Sequence, residues 1–131
     1  MIVDTSALLA ILQAEPESRL LAEAIEAVSR PTISVVSFVE ASIVLDARHG
    51  ADGRDRLDRV IRESRMEIAP VDLEQAQIAR EAFRDFGKGR HPARLNFGDC
   101  FVYALARQRG EPLLFKGDDF ARTDVRAAVT P

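Results

Sequence analysis

MIVDTSALLAIL, residues 1–12, changes pattern at one residue. Met1 to Val3 form a short apolar run, Asp4 ends it, and Leu8, Leu9 and Leu12 then recur along one side of a helix predicted over residues 5–14. An apolar run, an acid and an amphipathic helix are the opening of a strand-then-helix unit, and the same alternation continues outward. Glu15 and Pro16 punctuate the first helix, and Leu20, Leu21, Ala24, Ile25 and Val28 space a second over residues 17–28. Pro31 breaks it before TISVV, residues 32–36, whose β-branched side chains predict a strand. Ser37 begins a helix that Gly50 is placed to close with a left-handed cap.

Residues 52–65 predict a charged helix packed on Leu57, Val60 and Ile61, and residues 66–71, MEIAPV, a strand. LEQAQIAREAFRDF, residues 73–86, is helical, and GKGRHPARLN, residues 87–96, is a loop. FGDCFVYALARQRG, residues 97–110, predicts an apolar helix closed by Gly110, PLLFKG, residues 112–117, a buried strand, and the remainder a turn with a weak final strand. Strands alternating with helices predict an α/β fold with a parallel sheet covered by helices on both faces. At 131 residues, with no repeat, linker or low-complexity stretch, residues 1–131 are expected to form a single domain.

A net charge of −3 argues against a chain that binds nucleic acid through overall charge, although arginines crowd residues 54–65 and 84–94. Cys100, the single cysteine, has no disulfide partner, and no Cys/His cluster suits zinc, so a reducing, cytoplasmic setting is expected. No basic stretch precedes the N-terminal apolar run and no segment has the apolar length of a membrane span, so neither a signal peptide nor a membrane is expected.

In open parallel sheets, ligands bind beyond the carboxyl ends of the strands. Asp4 ends the first predicted strand, Glu40 lies one turn past the second, Asp118 follows PLLF, and Asp99 starts the helix feeding that strand. Each has a local reading: Asp4 as a helix cap, Ser37-x-x-Glu40 and Asn96-x-x-Asp99 as capping boxes, Asp118 and Asp119 as turn residues after Gly117. Capping does not require all of them to gather on the ligand-binding rim. Converging carboxylates repel unless a cation joins them, and an all-oxygen site suits Mg²⁺ or Mn²⁺. The chemistry that follows is ion-assisted hydrolysis of a phosphoester or phosphodiester.

MIVDTSALLAIL, the acid within SFVEASIVL, LNFGDCFVYALA and PLLFKGDDF resemble, in order and spacing, the four acidic motifs of the PIN-domain ribonucleases, most closely the VapC-type toxins of toxin–antitoxin pairs. The resemblance spans nearly the whole chain. It implies a PIN-like three-layer sandwich and a Mg²⁺-dependent endoribonuclease with Asp4, Glu40, Asp99 and Asp118 as catalytic acids. Asp4 and Asp99 would be the direct metal ligands, with Glu40 and Asp118 orienting water or holding a second ion. It also implies a homodimer, an RNA substrate and a cognate VapB-type antitoxin that covers the site. Many family members carry Thr or Ser two residues before the fourth acid, where this chain has Lys116; Asp118 fits the register first and adjacent Asp119 second, with Asp124 nearby.

Other classes are open on residue grounds. A receiver-type signalling domain also has an acidic Mg²⁺ pocket, but needs paired acids after the first strand, where Asp4 stands alone, and offers only Asp72 as a phosphate acceptor. A phosphatase of the Asp-x-Asp type fails at Ser6. An inactive PIN-like module that only binds RNA or a partner is the remaining alternative. Arg84, Lys88, Arg90, His91 and Arg94 read either as a solvated loop or as a grip on an RNA backbone. Residues 52–65 read as an exposed face laced by salt bridges, Phe97, Phe101 and Tyr103 as helix packing, and Cys100 as a small buried hydrophobe. The apolar surface of residues 20–45 suits core, dimer contact or antitoxin groove alike.

Overall fold

The structure, a computed structural model, describes residues 1–129. Its elements are β1 (Ile2–Val3), α1 (Thr5–Leu12), α2 (Ser18–Glu26), β2 (Thr32–Ser34), α3 (Val35–Glu63), β3 (Glu67–Ala69), α4 (Leu73–Phe86), α5 (Phe97–Arg109) and β4 (Leu113–Leu114). The strands form one parallel sheet in the order β3-β2-β1-β4. Alternate side chains enter opposite layers, as the pleat demands. Ile2 and Leu113 pack with α4 and α5, whereas Val3, Ile33 and Leu114 pack with α1, α2 and α3. The result is a three-layer sandwich. No helix among the described residues is long and apolar enough to cross a membrane.

Four expectations change. Residues 35–36 of TISVV are helical, because the hydroxyl of Ser34 accepts the Val36 N–H at 3.1 Å and caps α3 two residues before the expected start. Gly50 does not end that helix: at φ 61° and ψ −147° it is a kink, a conformation outside the left-handed helical region that glycine adopts without penalty. The weak final strand is a single bridge, Leu113 to Ala127, after a 3₁₀ turn at Phe120–Arg122; Thr130 and Pro131 lie outside the described residues. The arginines and acids of residues 52–65 are mostly exposed, as expected, but make no ion pair with one another within 4.0 Å among the described residues. Exposed pairs of this kind contribute about 0–1 kcal/mol, too little to hold long side chains together against water.

α4 and α5 follow the sequence closely, with Asp72 capping α4 through Gln75 N–H at 2.8 Å and Gly110 closing α5 in the left-handed region. The carboxyl of Asp72 is therefore occupied by a cap and by Gln108, which removes the one phosphate acceptor a receiver domain had on offer.

Candidate active site

The chain leaves β1 toward β2 on one side and meets β4 on the other, so the crevice beyond the carboxyl ends of β1 and β4 is the switch point of the sheet. Asp4 stands there as the residue between β1 and α1. Its N–H donates to Leu114 O at 2.9 Å, its carboxylate accepts Ser6 N–H at 3.0 Å, and it is 5% exposed. Burial raises the Asp4 carboxyl above its ordinary value, the hydrogen bonds from Ser6 oppose the rise, and the charge of Glu40 adds to it. Ser6 ties in the far side of the crevice too, since its hydroxyl accepts Lys116 N–H at 3.0 Å.

Asp99 sits in the first turn of α5. Asn96 Oδ1 accepts Asp99 N–H at 2.9 Å and Asp99 Oδ2 accepts Asn96 N–H at 3.0 Å, a complete capping box. Burial pushes the Asp99 carboxyl up to about 7; the Asn96 hydrogen bond opposes this, and the charges of Asp4, Glu40 and Asp119 drive it further. A carboxyl responding to three others shares one electrostatic site with them.

Glu40 has no capping task. Ser34, not Ser37, caps α3, and the Ser37 hydroxyl is buried without a hydrogen-bond partner among the described residues. The expected Ser37–Glu40 capping box is thus absent. The Glu40 carboxylate lies instead against Gly98 of α5, where a Cβ would stand 2.7 Å from Oε2.

Asp118 and Asp119 are both exposed on the segment after β4. The charge acting on Asp99 is that of Asp119, whereas Asp118 lines a groove with Glu17, Leu20 and Lys116 on the α2 side. Asp124 is turned away altogether, accepting from Tyr103 Oη at 2.6 Å and Arg107 at 3.3 Å. Lys116 pairs with Glu15 and Glu17 at 2.6 and 3.3 Å.

Among the described residues, no three His, Cys, Asp or Glu side chains are already drawn together around a point that would hold a metal. Asp4 and Asp99 are in their capping orientations, each cap resting on its Oδ2. The donor chemistry nonetheless fits a hard divalent ion. The donors are carboxylates, their charges are mutually uncompensated, and Mg²⁺ is commonly held by one or two carboxylates with water completing its shell. The unpartnered Ser37 hydroxyl on the same rim is a polar group of the kind such a site uses.

The basic loop divides. Arg84 pairs with Glu81 at 2.5 Å, Arg90 lies over the Phe83 ring, and His91 Nδ1 accepts Ala93 N–H, leaving Lys88 and Arg94 without ion pairs among the described residues. Phe97 departs from the expected helix packing, being 75% exposed, while Tyr103 and Cys100 are buried as expected. With Val39, Glu40 and Ile43, Phe97 lines an open, largely apolar groove of about 610 Å³.

Residues 1–126 match the PIN domain family. A VapC ribonuclease of Mycobacterium bovis is 44% identical over 131 residues, the full length of both chains. The ribonuclease VapC of Mycolicibacterium smegmatis is 48% identical over 127 residues, covering 97% of this chain and 98% of that protein. Among solved structures, the Mycobacterium tuberculosis toxin VapC20, described as cleaving the sarcin–ricin loop, aligns with a TM-score of 0.80 at 19% identity over 99% of this chain and 98% of that one. A toxin–antitoxin complex from Klebsiella pneumoniae aligns at 0.71 and 18% identity over 94% of this chain and 92% of that one. These structural likenesses carry the fold.

Proposed function

The chain belongs to the PIN-domain family, among its VapC ribonucleases, and from that premise we propose that it is the toxin of a toxin–antitoxin pair, a Mg²⁺-dependent endoribonuclease that hydrolyses RNA phosphodiester bonds. The observation that carries the reading is Asp99, held at about 7 by burial and by the charges of Asp4, Glu40 and Asp119. Its capping box accounts for its place on α5 but not for the charges of three other acids acting on it.

Asp4 and Asp99 would hold the ion, Mg²⁺ or Mn²⁺, with Glu40 and an acid of the 118–119 pair beside it. Bound there, a divalent ion supplies Lewis acidity and neutralises charge that develops on the phosphate. The side chains do the rest. Without a cation the rim repels a phosphodiester, so RNA is admitted only when that charge is balanced. Glu40, free of any cap, is available to accept a hydrogen bond from the attacking water and align it with the phosphorus. Lys88 and Arg94, on the loop leading into α5, supply cations for the flanking phosphates.

The partners follow from the same surface. Val39, Ile43 and Phe97 are 50%, 64% and 75% exposed beside Glu40, and we assign this face to a homodimer contact. A VapB-type antitoxin neutralises the toxin by covering the rim, in the cytoplasm. The test is cleavage of total RNA by the parent, Asp4→Asn and Asp99→Asn, with and without a chelator. Both substitutions and chelation are expected to abolish cleavage; undiminished cutting by either variant sinks the site, and cutting in chelator sinks the mechanism.

A further inference from the structure

Gly98 lies in the first turn of α5, is buried, and has an ordinary negative φ. Nothing in its backbone calls for glycine, and in a helix glycine is a poorer residue than alanine. What distinguishes the position is its neighbour. A Cβ there would stand 2.7 Å from Glu40 Oε2, nearer than carbon and oxygen tolerate, while Glu40 Cδ at 3.4 Å and Asn96 Oδ1 at 3.6 Å would be in ordinary contact. The missing side chain is the space the Glu40 carboxylate occupies. It is also what lets an acid on α3 reach the start of α5, where unpaired N–H groups and the helix dipole favour negative charge.

We infer that Gly98 is a positioning residue: its missing Cβ seats the Glu40 carboxylate against α5 and so sets the distance between Glu40 and Asp99 across the ribonuclease site. The inference rests on the proposed ribonuclease reading. The clash falls on the far end of a flexible side chain, not on backbone, so an added methyl displaces Glu40 and leaves the fold intact. Gly98→Ala therefore separates positioning from folding.

The experiment is a double-mutant cycle of Gly98→Ala and Glu40→Gln, with three readouts: kcat and KM for RNA cleavage, Mn²⁺ affinity by titration calorimetry, and Tm. Gly98→Ala is expected to match or exceed the parent in Tm, since alanine favours the helix. Its kcat should fall by about 10- to 100-fold, the scale of an ångström-level misplacement, with KM little changed. Mn²⁺ affinity should weaken by on the order of 10-fold, as for groups that orient ion ligands. In the Glu40→Gln background the same methyl should cost less than about 2-fold, because its route of action is already removed. Parental kcat and Mn²⁺ affinity in Gly98→Ala, or an equal loss in both backgrounds, overturns the inference. Unimpaired cleavage by Glu40→Gln overturns it as well but leaves the ribonuclease reading standing if Asp99→Asn is inactive; an active Asp99→Asn removes that reading itself.

Discussion

Asp99 answers to two demands at once. Its capping box fixes α5, while burial and the charges of Asp4, Glu40 and Asp119 hold its carboxyl at about 7. In the ion-free protein this has a definite sign. The unfolded chain releases that proton near the ordinary value of 3.8, the folded chain only near 7, so folding stability contributed by the protonated form is complete below about 4 and is lost as pH rises through 7. Chelated parent protein is expected to have a lower Tm at pH 8 than at pH 4, with the loss falling between about pH 4 and 7. Asp99→Asn should flatten that slope and raise Tm at pH 8 by roughly 3–6 °C, the shift that about 1 kcal/mol gives a domain of this size. Mg²⁺ should restore the parent and leave the variant unmoved; thermal melts at the two pH values check both. Asp4, Glu40 and Asp99 were legible in the sequence because a strand end or a helix start places each. Asp118 and Asp119 were not separable, because which of two adjacent turn carboxylates faces the crevice depends on side-chain direction. Gly98 carries no signal of its own, since a glycine in a helix marks a close approach without naming what approaches.

The start of α3 decides whether Glu40 is structural. Val35 and Val36 favour a strand, so local propensity points to Ser37 as the helix start; packing overrides it and begins the helix at Val35, with Ser34 as its cap. Ser34→Ala is expected to lose about 1 kcal/mol, the usual value of an N-cap hydroxyl. Ser37→Ala should be near neutral in stability, because the Ser37 hydroxyl makes no hydrogen bond among the described residues. Urea denaturation of the two variants distinguishes the caps, and a reversed order would return Glu40 to a capping role. Gly50 misled for a related reason: a glycine with positive φ signals a helix end, yet Leu45 and Leu57 on either side of it are both anchored in the same core, and the helix resumes. Where periodicity and caps agree, as in α4 and α5, the boundaries were legible to the residue.

At the scale of the molecule, the order β3-β2-β1-β4 puts the exits of β1 and β4 side by side, and the hydrogen bonds Asp4 N–H to Leu114 O and Lys116 N–H to Ser6 Oγ stitch those exits together. Parallel layering was readable from alternating strands and helices; the outer surface was not, because an apolar helix face reads the same whether it meets core, a partner or water. Phe97 and Ile43 are the instance. A dimer built on that face should dissociate in Ile43→Lys with Phe97→Lys, with Tm little changed, as sedimentation velocity at micromolar concentration would record. The site itself is tested most directly by calorimetric titration of chelated protein with Mn²⁺, comparing the parent with Asp4→Asn and Asp99→Asn at pH 6 and pH 8. The parent is expected to bind with release of a proton at pH 6 that is much reduced at pH 8, and each variant to lose most of the affinity. Equal binding by all three proteins, or none by the parent, contradicts an ion held between Asp4 and Asp99.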